Sequence, residues 1–141
     1  MSTEQNKALV RRSLEDGLSK DSRSNPEVLH EYFADNFVDH VQIHHEKSGV
    51  HGVKDAVAEV HQAAPNFRMK VVQMLAEEDL VAVHWQAAAT RHSTLEKHRQ
   101  LKGTKPSGEE RRVAGVSLFR LAGGKIVESW NYDNALEFQM S

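Results

Sequence analysis

The chain has 141 residues, of which 39% are hydrophobic and 27% charged, and its formal net charge is −2. That length suits one domain, 1–141, with a core of its own, and the near-neutral charge gives no global pull toward nucleic acid or an anionic membrane. There is no cysteine, which excludes disulfides, thiolate catalysis and cysteine-ligated zinc.

The opening "MSTEQNKALVRR" lacks an apolar leader core, and no run approaches bilayer length, so a cytoplasmic location is expected. Residues 3–19 read as a helix capped by Ser2 or Thr3, with Val10, Leu14 and Leu18 recurring at i, i+4 and i+8. The turn formers in "SKDSRSNP" end it. Asn25 then caps a second helix with Pro26 at its first position and an apolar face of Val28, Leu29, Tyr32 and Phe33. "NFVDHVQIHHEKSGVHG" reads as loop with a short strand around Phe37–Val41. A third helix is expected from about Val53 to Ala63, with Val53, Val57 and Val60 inward and Pro65 as its stop.

Beyond Pro65 the period changes from helical to alternating. Residues 67–92 read as two long strands joined at Glu77–Asp79, the second placing Val81, Val83, Trp85, Ala87 and Ala89 on one face. "ERRVAGVSLFRLAGGKIVESWNYD" is a second pair, joined by Ala122–Gly124. Helices followed by a four-strand antiparallel meander give an α+β fold: a cone-shaped, curved sheet with about three N-terminal helices on its concave side. Such a cone can hold a small ligand at its open end. Ala87, Ala88, Ala89, Ala114 and Gly115 either leave room for one and let the sheet bend, or serve close packing.

The nine histidines raise the question of a metal, His40, His44, His45 and His51 above all. "HHEK" lacks the His-Glu-x-x-His spacing that sets two ligands on one helical face, so no metal site is expected. His30, His61 and His98 are expected at the surface. No nucleophile elbow, phosphate loop or dinucleotide fingerprint occurs, and no aromatics interleave with a basic strand face to bind nucleic acid. Residues 91–112 carry seven Lys or Arg against three Glu, which either a solvated loop or an anion site explains.

What remains is a pocket of Phe37, Trp85, Phe119, Trp130 and Tyr132, with His40, His92 and Asp133 as its few polar groups. A carboxylate among aromatics shuttles protons, and a histidine can hold a developing enolate oxygen. In a regular strand, however, Asp133 points away from Trp130 and Tyr132. Either the strand bulges or ends before Asp133, or Asp133 caps a short final helix bearing Ala135, Leu136 and Phe138.

"YFADNFVDH" (32–40), "VHGVKDAV" (50–57), "DLVAVHWQAAATRHS" (79–93), "GTKPSG" (103–108) and "GGKIVESWNYDNALEFQ" (123–139) follow one another in a recognisable order. From residue 8 onward the chain resembles the SnoaL-like polyketide cyclases, within the superfamily of ketosteroid isomerase and nuclear-transport-factor-2-like folds. The resemblance implies a cone-shaped α+β barrel, commonly dimeric through its sheet. It also implies intramolecular aldol closure without a cofactor, with Asp133 as acid/base. His40 and His92 match positions near the family's pocket, and Trp85 and Trp130 match its wall or core aromatics. "ATRHST" stands where many relatives have Gly-Thr-His-x-Gly. The expected ligand is a small hydrophobic molecule, and the expected partner a second copy of the chain. A non-catalytic binding or dimerisation module of the same fold is the alternative.

Overall fold

The computed structural model describes residues 2–40, 49–90 and 110–134. Helix α1 (Thr3–Arg12) begins with a capping box: the Ser2 hydroxyl accepts from the Gln5 N–H, and the Gln5 side chain accepts from the Ser2 N–H. The helix widens into a π-helical stretch, Ser13–Asp21, and closes in a single turn, α2 (Ser22–Ser24). Buried serines in this stretch bond to backbone carbonyls, Ser13 to Val10 and Ser19 to Leu14, so their hydroxyls are satisfied inside an apolar layer.

The expected second helix is a six-residue 3₁₀ helix, Pro26–Glu31, capped by Asn25 as anticipated. Tyr32 and Phe33 are buried, but as the lead into strand β1 (Phe33–Asp39) rather than on a helical face. Long-range pairing outweighs the local helical period here: the Ile126 N–H donates to the Tyr32 carbonyl, and Phe33 pairs with Ile126. Helix α3 (Gly49–Ala63) starts earlier than expected, and Val60 is exposed where an inward position was expected.

Strands β2 (Arg68–Glu77), β3 (Leu80–Thr90), β4 (Glu110–Ala122) and β5 (Lys125–Asp133) form the antiparallel meander. Gly123 and Gly124 both have positive φ, as a two-residue turn matched to strand twist demands. Among the described residues the sheet has five strands rather than four, in the order β1-β5-β4-β3-β2, because β1 joins β5 in parallel and makes it mixed. The alternation expected of β3 holds: Val81, Val83, Trp85, Ala87 and Ala89 are all buried against the helical layer. The fold is α+β, with the helices packed on one face of a curved sheet.

Two backbone donors of edge strand β2 are covered by the π-helical stretch. The Met69 N–H donates to the Ser19 hydroxyl (2.8 Å) and the Val71 N–H to the Glu15 carboxylate (2.9 Å). His61 of α3, expected at the surface, is half-buried beside the same stretch. Its Nε2–H donates to the Leu18 carbonyl (2.8 Å), and its Nδ1 accepts from Arg23 Nε (3.2 Å). Burial lowers the His61 pKa below the ordinary 6.5; the hydrogen bond to Leu18 opposes this, and the Arg23 charge adds to it.

The folded chain thus resists protonation of His61 while the unfolded chain does not. This contribution is complete above the ordinary value of 6.5 and is lost as pH falls from there through the lowered folded value. His61→Gln, which keeps a donor for Leu18, is expected to flatten that acid limb, read from urea midpoints between about pH 7.5 and 5.

Candidate functional site

Which side chains meet in the cone is decided by one irregularity in β5. Leu121 pairs with Ile126 and Arg120 with Glu128, so Val127 is an extra residue with no partner of its own in β4. Because side chains alternate with period two, the extra residue exchanges the faces beyond it. Ile126 is fully buried against the helices, and beyond the bulge the inward positions are Ser129, Asn131 and Asp133. Glu128, Trp130 and Tyr132 are turned to the outer face. A second bulge at Val72 does the same in β2, so that Val71 and Met74 both face in.

A cavity of about 390 Å³ lies between the inward face and the helices. That lies within the roughly 300–1,000 Å³ usual for small-molecule sites. Its walls are largely apolar: Leu14 and Leu18 on one side, Val53, Ala56 and Val57 of α3 on another, and Phe37, Met69, Trp85 and Phe119 from the sheet. Phe33 and Phe37 meet edge to face at 5.0 Å between ring centres.

Polar groups enter the cavity from one side, as Asp39, Ser117, Ser129 and Asn131. They are hydrogen-bonded in series. The Trp85 Nε1–H donates to Ser117 Oγ (2.8 Å), whose hydroxyl donates to Asn131 Oδ1 (2.5 Å). Asn131 Nδ2 donates to Asp39 Oδ1 (3.2 Å) and to Ser129 Oγ (3.1 Å). Among the described residues, no Lys, Arg or His lines the cavity.

Of the residues expected at the site, Phe37, Trp85 and Phe119 line the cavity. Asp133, the last residue of β5, stands on the inward face opposite Gly115 and is exposed. A Cβ on Gly115 would lie 2.5 Å from Trp85 Cζ2 and 2.9 Å from Asp133 Cβ. Gly115 is therefore the space into which the indole edge and the aspartate converge. Asp133 itself does not line the cavity; it sits one inward position beyond Asn131, about 7 Å along the strand. The final helix that it was alternatively expected to cap, at Ala135, Leu136 and Phe138, lies outside the described residues, as do His92, His44, His45 and all but the end of the basic segment 91–112.

Trp130 and His40, expected to share the pocket, lie together on the other face of the sheet. Their rings stack at 4.6 Å with 10° between planes. His40 Nε2 donates to Glu128 (2.6 Å), and Arg120 binds the same carboxylate. His40 and then Arg120 hold the Glu128 carboxyl below its ordinary pKa. The bulge is the reason: Trp130 would face in if β5 continued the parity of Ile126.

The sequence reading missed Asp39, Ser117, Ser129 and Asn131. A parity signal was present for each: Asp39 shares strand parity with Phe37, Ser117 with Phe119, and Ser129 and Asn131 with Asp133.

A sequence model of the SnoaL-like polyketide cyclases matches residues 8–139. The chain belongs to that family. No curated protein sequence matches it. Solved structures share the fold at low identity. A protein from Jannaschia sp. CCS1, assigned as a SnoaL-like polyketide cyclase, superposes with a TM-score of 0.74 at 22% identity, covering 96% of this chain and 89% of its own. A SnoaL-like polyketide cyclase from Agrobacterium tumefaciens gives 0.71 at 17% identity, with both chains covered completely. AclR from Streptomyces galilaeus, assigned as a hydroxylase, gives 0.68 at 22% identity over 94% of this chain and 77% of its own. Among the described residues, no helix is long and apolar enough to cross a membrane.

In this member of the SnoaL-like family, Gly115→Ala is expected to drive the Trp85 indole out of place and to cost about 1–3 kcal/mol of stability, as overpacking does. Denaturant unfolding gives the loss, and a shifted tryptophan emission reports the displaced ring.

Proposed function

We propose that the protein is a cofactor-independent cytoplasmic enzyme that closes or isomerises a small hydrophobic carbonyl compound, with Asp133 as its general acid/base. The observation that carries this reading is the inward parity of Asp133 beside Trp85, at the end of an apolar cavity, in a chain of the polyketide-cyclase family. In this reading the Asp133 carboxylate takes a proton from the carbon next to a carbonyl, leaving an enolate. The enolate carbon attacks a second carbonyl of the same molecule. The proton on Asp133 then returns to the new alkoxide, so no other reagent is consumed.

Asp133→Asn keeps the shape but removes the base. It is expected to slow protein-catalysed exchange of the α-protons of 1-tetralone in deuterium oxide by about two orders of magnitude or more, followed by NMR. Exchange that is equally fast in the variant would overturn the role of Asp133. Exchange no faster than in buffer with either protein would favour a non-catalytic binding module, a reading supported by the position of Asp133 beyond the cavity lining.

The same proposal includes a homodimer formed through the outer sheet face, where Val116 and Tyr132 pair and remain 52% and 63% exposed. Tyr132→Glu is expected to convert the dimer to a monomer in light scattering, with little change in the melting temperature of the protomer at high dilution.

A further inference from the structure

Strand β4 turns one charged side chain toward the helices, that of Arg111. The β3–β4 ladder runs without a bulge, and Arg111 pairs with Ala89 as Gly115 pairs with Trp85. Arg111 therefore shares the inward parity of Val113, Gly115, Ser117 and Phe119. Val113 packs against the core, and Ala87 and Ala89 opposite are buried. Arg111 is half-buried among them, and its Nε lies out of water with no hydrogen-bond partner. The other arginines of the sheet are all paired: Arg68 and Arg112 bind Glu110 on the outer face, and Arg120 binds Glu128. Glu110 is thus the neighbour of Arg111 in sequence but belongs to the opposite face. Among the described residues, no carboxylate pairs with Arg111. A guanidinium keeps its charge at any physiological pH and carries five donors, so a half-buried one calls for an anion.

We propose that Arg111 forms an anion subsite on the inward face, taking a carboxylate carried by an otherwise hydrophobic ligand. The planar fork of a guanidinium matches the two oxygens of a carboxylate. Its position sets the length of the ligand. Arg111 does not line the cavity; it stands four residues beyond Gly115 on β4, about 13 Å along the strand. Asp133 is level with Gly115. The apolar cavity, the aspartate and the guanidinium therefore follow one another along one face. A substrate that spans all three carries its reacting carbon between a hydrophobic body and a carboxylate tail. The substrate class is accordingly narrower than a hydrophobic carbonyl compound: it is a hydrophobic keto acid. At least one cation of the basic segment 91–112 thereby acquires a task beyond solvation. This rests on the reading of the cavity as a small-molecule site and not on the chemistry assigned to Asp133.

The matched pair 5-phenylpentanoate and 5-phenylpentanamide tests the subsite, since the two share a skeleton and differ in charge. Each is long enough when extended to set its ring beside Trp85 and its polar end at the guanidinium. By titration calorimetry the wild-type protein is expected to bind the carboxylate on the order of tenfold more tightly, as a charge-assisted hydrogen bond implies. Arg111→Gln removes the charge and is expected to abolish the preference. Arg112→Gln, one residue along but on the outer face, is expected to keep it. Equal binding, tighter binding of the amide, or no binding of either at millimolar concentration overturns the subsite. So does a preference that survives unchanged in a folded Arg111→Gln protein, or one that Arg112→Gln abolishes equally. If Arg111→Gln does not fold, the wild-type ranking and Arg112→Gln decide alone. A clear carboxylate preference without α-proton exchange would sink the catalytic reading and leave the subsite standing; exchange without the preference would do the opposite.

Discussion

The pairing of Leu121 with Ile126 and of Arg120 with Glu128 leaves one residue, Val127, outside the ladder, and the composition of both sheet faces follows from it. Strand side chains alternate without exception in a regular ladder, so a single unpaired residue reassigns every position beyond it. Before Val127, the buried Ile126 anchors the strand to the helical layer. Beyond it, Ser129, Asn131 and Asp133 face the cavity, and the two large aromatics are turned out. The polar wall of the cone is in this sense a by-product of register.

That dependence explains which features were legible in the sequence. The α+β class, the capping box at Ser2, the Asn25–Pro26 helix start and the inward face of β3 all depend on contacts within a few residues or on an uninterrupted period, and all can be read from the chain. A bulge leaves no such trace. "KIVESWNYD" alternates equally well in either parity, and its bulky residues, Trp130 and Tyr132, argue for the inward face that they do not occupy. The parallel union of β1 with β5 is hidden for a related reason: Phe33 reads as the end of a helical face because the partner that claims it, Ile126, is far along the chain. Phe37, Trp85 and Phe119 were identifiable as cavity residues because hydrophobic bulk on a regular strand is a direct signal. The small polar residues between them carry only the weaker signal of shared parity, since a serine or asparagine on a strand does not by itself mark a buried face.

The two faces handle polarity differently. Inside, the Trp85, Ser117, Asn131 and Ser129 side chains are hydrogen-bonded link by link together with the Asp39 carboxylate, as burial requires when stray donors are expensive. Outside, charge is tolerated: Glu128 is held by His40 and Arg120 near solvent, and the His40–Trp130 stack lies beside them. Such half-exposed pairs add little stability individually. Glu128 also holds the His40 ring that stacks on Trp130. Edge strand β2 is protected by yet another device, since Ser19 and Glu15 occupy the backbone donors that an unrelated strand would otherwise find.

The bond from Asn131 to Asp39 joins residues 92 positions apart. β1 is among the earliest segments to leave the ribosome, and β5 among the latest in the described chain. Phe33, Phe37 and Asp39 must therefore wait, with their apolar surface uncovered, while three intervening strands are made. Chain closure over so long a separation is slow compared with local pairing. The meander β2–β5 can assemble first from neighbouring strands, and β1 then docks along its open edge. The polar wall of the cavity is in this order the last part of the domain to form, because it needs both the first strand and the last.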